Sequence, residues 1–379
     1  MSAVVDSAAP LDAGAAAAQA RYAQATQLQL TWWRFRKHKL ALVSMVVIVL
    51  FYMVTIFADF LATTDPQATD ARRSFIPPQG IHFFDESGFN PHVYGLRGVR
   101  NPRTFQLSYT PDPSRKLPVR LFVRGYSYNL LGLFETNIHL FGVQDARPGE
   151  SIFLLGTDQL GRDLYSRILV ATRVSLLIGL AGVTLSLFLG VLLGGISGLY
   201  GGWVDLAIQR VIEVLRSVPT IPLWMGLAAA LPRTWSVIQV YFAITLIISL
   251  IGWTDLARVV RGRFLALREE DFVVAAELSG ASQGRIIFRH MLPSFTSHII
   301  AATSLALPAM IISETSLSFL GLGLRPPAVS WGILLQDAQN IQVLSGAPWL
   351  LIPAIPVTLV ILAFNFLGDG LRDAADPYG

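Results

Sequence analysis

The sequence predicts an all-α polytopic membrane protein with six transmembrane helices and one small mixed or β extracytoplasmic insert. Three observations predict it. Only 14% of the 379 residues are charged while 53% are hydrophobic, against roughly a quarter charged in an ordinary soluble domain. The mean hydropathy is +0.53, and the apolar residues collect in long uninterrupted runs. Basic residues gather in particular connecting segments. Hydrocarbon solvates no charge, so this composition is what a lipid-facing surface demands.

Residues 1–39 are read as a cytoplasmic tail, Ala-rich and polar, without the basic stretch, apolar run and cleavage site of a signal peptide. The tail ends in Trp32, Trp33, Arg34, Arg36, Lys37 and Lys39. These basic residues hold the N-terminus inside, and the two tryptophans suit the interface. Residues 40–58 follow as the first span, about 19 residues and so long enough to cross the hydrocarbon. Residues 59–173 are hydrophilic and rich in Pro, Gly and aromatics. Alternating stretches at Val119–Val123 and Asn137–Phe141 predict short strands within them. With the N-terminus inside, this insert lies outside.

Residues 174–368 form the core, with five further spans at about Ser175–Ser197, Leu206–Leu231, Val237–Trp253, Ile299–Leu317 and Trp349–Leu367. The span at Leu206–Leu231 is the weakest, interrupted by Arg210, Glu213, Arg216, Pro219 and Pro222. The segment 254–298 is expected in the cytoplasm, because it carries Arg258, Arg261, Arg263, Arg268, Arg285 and Arg289. Residues 369–379 are a cytoplasmic tail, in which Asp369, Arg372 and Asp373 are expected to pair with cytoplasmic groups.

A net charge of +4 reflects these membrane-flanking basic residues and contact with anionic lipid. No nucleic-acid module or basic-aromatic pattern accompanies it. Cysteine is absent, and His290 and His298 lack the spacing and acidic company of metal ligands, so no metal site is expected. The chain has no Gly-x-x-x-x-Gly-Lys-Ser/Thr loop, no Gly-x-Ser-x-Gly elbow and no His-Glu-x-x-His. It is therefore not expected to be an enzyme. A proton-coupled carrier would want inverted repeats and carboxylates at the span centres, which are poor in them. A membrane-embedded enzyme would want a nucleophile, base or metal constellation.

The most informative stretch runs from Glu269 to Pro293. Glu269, Glu270 and Asp271 suit a helix N-terminus. Phe272, Ala275, Ala276 and Ser279 give one face of mostly small residues, and Gly280 is a natural left-handed stop. Ser282 is placed to cap a second short helix running to Met291, with Pro293 ending it. Two short helices meeting at a Gly corner can admit a partner closely. Elsewhere Gly190, Gly194, Gly198 and Gly202 recur every fourth residue, extended by Ser186 and Gly182. They form a smooth ridge for intrachain packing or a dimer seam. Glu314 is a candidate intramembrane polar site, or else a carboxylate held by neighbouring serines.

The Glu269–Pro293 stretch resembles the EAA coupling loop of binding-protein-dependent ABC importer permeases: Ala275, Ala276, Gly280, Leu292 and Pro293 fall on its pattern, with Asp271 and Phe272 just before. Val274 stands where that family has its Glu. Leu155–Asp163, Ser313–Gly323, Pro326-Pro327, Ser330–Gly332 and Asn365–Asp373 narrow the resemblance to the second permease of the dipeptide/oligopeptide subfamily. The resemblance implies the type I importer permease (MetI-like) fold in a bacterial inner membrane. It also implies a heterodimer with a second permease, two ATPase subunits that bind ATP and Mg, and an extracytoplasmic solute-binding protein. This chain would hold no cofactor itself. The implied cargo is peptides, with oligosaccharides, opines or metal complexes as alternatives. The resemblance does not extend to the insert at 70–150, whose Phe83, Phe84, Tyr94, Phe122, Tyr126 and Tyr128 suit either a small core or contact with the delivery protein.

Overall fold

A computed structural model describes residues 26–86, 88–100, 102, 107–143 and 151–375; most of the N-terminal tail and the last four residues lie outside the described residues. A short amphipathic helix, α1 (Gln27–Phe35), leads into α2 (Lys39–Ile56) and a single further turn, α3 (Ala58–Leu61). The insert follows as a four-stranded antiparallel meander in the order β1 (His82–Asp85), β2 (Gly88–Arg100), β3 (Leu107–Leu130) and β4 (Phe134–Val143). The core comprises α4 (Leu164–Tyr200), α5 (Gly202–Ser217), α6 (Thr220–Ala229) and α7 (Val237–Leu267). It continues with α8 (Asp271–Leu278), α9 (Thr296–Phe319), α10 (Trp331–Asp337) and α11 (Ala354–Ala375).

Five segments are long and apolar enough to cross a membrane, and a sixth crossing is supplied if α5 and α6 count as one broken span. These two helices are bent by 86° at Val218 and Pro219, so the expected continuous span at Leu206–Leu231 is corrected to a helical elbow. Val218, which precedes the proline, is extended (φ −90°, ψ 132°), as the Pro ring requires of its predecessor. Pro222 lies in the first turn of α6, where no N–H is missed.

Three boundaries also differ from those expected. Helix α4 begins at Leu164, not near 174, because Arg167 and Arg173, which made the segment look polar, are both neutralised by the fold. Arg173 pairs with Asp59 at 2.8 Å and donates to the Thr55 carbonyl, and Arg167 is buried against Asp158. Helix α7 continues through Leu267, so the first part of the segment expected as a loop from 254 is helical. Helix α11 runs to Ala375, past the expected end of the span, and Asp373 there lies 3.8 Å from His38.

The bundle is organised by α4 and α7, which run in the same direction. A side chain at Gly190 would meet Leu256, one at Gly194 the backbone of Ala257, and one at Gly198 Arg261 and Phe264. Ser249 donates to the Gly182 carbonyl at 3.1 Å, and Ser186 lies against Gly252. The small-residue ridge is therefore occupied by α7 of the same chain. Gly202 is not part of it: it opens α5 with φ +55° and no atom within reach of an added Cβ.

The insert is anchored at the start of α4. Its sheet surrounds a modest core of Val93, Leu117, Val119 and Ile152. The strands expected at Val119–Val123 and Asn137–Phe141 pair with each other, Leu121 opposite Phe141 and Val123 opposite His139. They belong to longer strands than expected: β3 spans 24 residues, turning from β2 to β4 partway along. Between Asp112 and Lys116, paired with Gly95 and Tyr94, the chain bulges out at Pro113–Arg115, as Pro in a ladder requires.

Below the sheet, Asp158 accepts from the backbone of Leu160 and Arg162, binds the Arg162 side chain at 2.6 Å and also pairs with Arg167. Both arginines reach Asp337 of α10 at 3.4 Å. This buried cluster ties α4, the insert and α10 together. Gly161 (φ +73°) permits it, because any Cβ there would overlap the Asp70 carbonyl.

Asp163 caps α4, accepting from the Ser166 backbone at 2.9 Å, the Ser166 hydroxyl at 2.6 Å and Thr63 at 3.2 Å, all at one carboxylate oxygen. The other oxygen is buried without a partner. Burial pushes the Asp163 carboxyl up to about 6, against the opposing hydrogen bonds. The folded protein therefore holds this proton more tightly than the unfolded chain does. The stabilisation is fully present below the unfolded value near 4 and is lost as pH rises through about 6. Asp163→Asn keeps a capping side chain without the titration. In denaturation of the purified protein, wild-type stability relative to this variant should fall by up to about 3 kcal/mol between pH 4 and pH 7; a pH-independent difference would contradict the assignment.

Candidate coupling site and intramembrane carboxylate

The segment after α7 is a compact elbow. Glu270 precedes α8 and Asp271 occupies its first turn, where a carboxylate meets the positive end of the helix dipole. The helix stops as expected at Gly280, whose φ is +75°. The Ala281 N–H donates to the Ala276 carbonyl and the Gly280 N–H to Glu277, the paired bonds of a Schellman ending. Ser282 follows in extended geometry but makes no side-chain cap. A short turn, Gln283–Arg285, passes into a π-helical turn at Ile286–Met291 and then into Leu292–Ser294.

Pro293 does not end this helix as expected. It sits in the first turn of Leu292–Ser294, and the break falls at Phe295 (φ −128°). A proline has no N–H for a carbonyl four residues back and its ring crowds that carbonyl. The wide turn ahead of it, with the Leu292 N–H reaching the Ile287 carbonyl, provides the room.

The faces of α8 also differ from the expected single small-residue face. Val273 is buried and Ala276 turns inward. With Ile286, Met291 and Phe295 they pack against Val260 and Phe264 of α7. Phe272, Ala275 and Ser279 point outward, joined by Val274 and by Leu278, which is 84% exposed. Asp271, Gly280 and Pro293 are exposed, and Leu292 is half-buried. Leu278 is not among the residues that the motif singles out; the helical period places it, with Val274, beside Asp271 and Ala275. An apolar groove of about 470 Å³ adjoins the elbow, lined by Phe188, Leu192, Ile287, Phe288 and Ile299.

At the other end of the bundle, Glu314 of α9 is fully buried. Its carboxylate accepts from Ser318 at 2.8 Å and from Ser175 of α4 at 3.0 Å. Ser330, also fully buried, instead caps α10 by accepting from the Ile333 N–H at 3.4 Å. The serines in turn accept backbone N–H groups: Trp331 donates to Ser175 and Leu324 to Ser318, both at 3.2 Å. The carboxylate thus knits α9, α4 and the start of α10, and its surroundings make it a structural tie with no open face toward a solute. The cluster of Asp158, Arg162, Arg167 and Asp337 escaped assignment from sequence. Its signal was an Arg inside the first turn of an apolar run.

Replacing Glu314 by Leu strands the two buried hydroxyls of Ser175 and Ser318 and should destabilise the protein by roughly 2–4 kcal/mol, whereas Glu314→Gln, which retains an acceptor, should cost less than half of that. Thermal unfolding in detergent measures both. Equal losses for the two variants would show that shape, not the hydrogen-bonded tie, matters there.

Two family profiles match the chain. The binding-protein-dependent transport system inner membrane component matches residues 190–378, and the N-terminal transmembrane domain of oligopeptide transport permease C matches residues 26–78. The sheet of the insert falls between them. The chain is 30% identical to the oligopeptide transport system permease protein OppC of Bacillus subtilis, over 91% of this chain and 87% of that protein. It is 34% identical to the dipeptide transport system permease protein DppC of Lactococcus lactis, over 92% of this chain and 90% of that one. Against OppC of Haemophilus influenzae, identity is 42% over 60% of this chain and 71% of that protein. Spanning most of such relatives, and carrying both profiles in order around a bundle of membrane-length helices, the chain belongs to the family of binding-protein-dependent transport inner-membrane components, among the C-type oligopeptide and dipeptide permeases.

Proposed function

We propose that this permease forms one half of the translocation path of a peptide importer and takes up force from a separate ATPase through α8. The supporting observation is the construction of the elbow: its inner face is locked to α7 and α4 by a buried core, while Val274, Ala275 and Leu278 stand open on the outer face. A push on that outer face is delivered to α7 as a rigid body, since close-packed interiors transmit displacement. Chemistry in the ATPase, where ATP and Mg are bound, then biases the bundle between inward- and outward-open states. The bias can be no larger than the differential affinity of partner and nucleotide for the two states.

Sidedness follows from charge. Arg258, Arg261, Arg263, Arg268, Arg285 and Arg289 cluster at the α7–α9 end, which favours placing that end, and both termini, in the cytoplasm. The insert then faces outward, toward a solute-binding protein. The groove beside the elbow, apolar and open, suits a helix of a second permease. The peptide cargo rests on the named substrates of the relatives.

Leu278→Glu tests the coupling role without disturbing the fold, because the side chain touches solvent almost entirely. Peptide uptake in cells should fall at least about tenfold, equivalent to 1.4 kcal/mol of lost coupling, with membrane insertion and thermal stability unchanged. Gly280→Lys should also abolish uptake, its φ of +75° adding roughly 1–3 kcal/mol of backbone strain. Wild-type uptake by both variants would remove α8 from the force path.

A further inference from the structure

The hairpin made by the second half of β3 and by β4 lies outside both matched family regions and ends in a tip built against the usual chemistry of turns. From Gly125 to Phe134 the sequence is Gly-Tyr-Ser-Tyr-Asn-Leu-Leu-Gly-Leu-Phe, with no charge in it. Water-facing turns favour Asn, Asp, Gly, Ser and Pro. Here Leu131 takes the left-handed conformation (φ 55°) although it is not glycine, and it is exposed. Leu133 is 73% and Phe134 67% exposed. Gly132 (φ 70°) is the one usual turn residue between Leu131 and Leu133, and among the described residues nothing covers the apolar side chains beside it.

Contacts along the hairpin show where the tip lies. Phe141 packs on Tyr165, the second residue of α4, with ring centroids 6.0 Å apart. Two residues nearer the tip, His139 bonds the Asp59 carbonyl at 2.9 Å and the Tyr126 carbonyl at 3.0 Å. Tyr126 itself packs with Val54, Ala58 and Leu169. Moving from Phe141 to His139 therefore descends α4 by one turn, from Tyr165 toward Leu169, and reaches the last turns of α2. Six more residues separate His139 from Leu133, on the order of 20 Å of strand.

Continued along the same line, that length would bring the tip toward the level of α2's outer surface, where Leu50, Met53 and Ile56 are exposed. Phe122 meets Phe60 at 6.4 Å, and Phe60 meets Phe57 at the end of α2. Phe57 and Phe122 are exposed, and with Phe60 they form an aromatic patch of the kind found at the boundary of a bilayer. The apolar surface of the hairpin is thus continuous with that of a membrane span.

We propose that the β3–β4 tip is a lipid anchor: Leu131, Leu133 and Phe134 enter the acyl chains of the leaflet on the insert's side, beside α2. The anchor fixes the insert against the bilayer with the apolar side chains that a monotopic element uses. This rests on the membrane placement of α2 and α4 and is independent of which solute is carried.

The chain contains no cysteine, so a nitroxide can be placed at will. Leu133→Cys and, in the looped-out segment of β3, Ser114→Cys would be labelled in the full-length protein with its co-purifying subunits, reconstituted into phosphatidylcholine–phosphatidylglycerol bilayers. Collision with oxygen, which concentrates among acyl chains, is compared with collision with a water-soluble nickel chelate. The ratio of oxygen to nickel accessibility at position 133 should exceed that at 114 by on the order of fivefold, as for a side chain buried below the headgroups. Equal ratios would place the tip in water. Shielding from both reagents would place it against another protein. Either result overturns the anchor.

Discussion

The close approach of α4 and α7 is the contact on which the rest of the molecule depends. In lipid, two apolar helices gain little by hiding from solvent, so association rests on packing and on satisfied polar groups. Gly190, Gly194 and Gly198 remove the side chains that would hold the backbones apart, and the Ser249 bond to the Gly182 carbonyl adds a polar tie. Both helices overrun the hydrocarbon. Their extensions beyond it carry the two ends of the protein: the Asp158–Arg167 cluster and insert at one end, the elbow at the other. A larger residue at Gly194 would meet backbone, which cannot swing away as a side chain can.

The two ends are fixed by different physics. At the insert end the ties are ionic and hydrogen-bonded. Arg167 and Asp158 are both almost fully buried, an arrangement that gains little net stability but makes the loss of either partner severe. Glu314 repeats the pattern with neutral donors, so one carboxylate orders three elements. At the elbow the ties are apolar: Val273, Ile286 and Met291 on Val260 and Phe264. Polar networks of the first kind hold one geometry through directional bonds, whereas the apolar core holds the elbow to α7 by close packing, which transmits displacement. That division suits the proposed role, in which the elbow is pushed while the opposite end keeps register with α10 and the insert.

Much of this was legible in the sequence because it depends on local pattern. Apolar runs gave the spans, the four-residue glycine repeat gave the ridge, Gly280 gave the stop, and alternation in Val119–Val123 gave a strand. What escaped depends on partners distant in the chain. Arg167 and Arg173 looked like the end of a hydrophilic segment because Asp158, Asp337 and Asp59, which neutralise them, are revealed only by the fold. The orientation of α8 escaped for a related reason. In a helix of eight residues, Phe272 and Ala276 are equally credible core positions until α7 is seen to lie on the side of Val273 and Ala276. Pro219 was visible as an interruption, but not as an 86° elbow.

Under the proposed coupling role, Val274 bears on how a partner would hold the elbow. The resembling loops carry a glutamate there, and the outward position of Val274 shows that such a carboxylate would face away from the core. An ion pair at the exposed rim of an interface contributes little, commonly under about 1 kcal/mol. Burial of a Val or Leu side chain contributes about 1.5–3 kcal/mol. With Val274 and Leu278 on one face and one turn apart, a partner docked there as proposed would be held chiefly by apolar contact, which weakens little with salt. Contact of this kind is non-directional, so it cannot by itself select an angle of approach. The angle must come from the rigidity of the elbow, and the Schellman ending at Gly280 together with the core under Val273 supplies it.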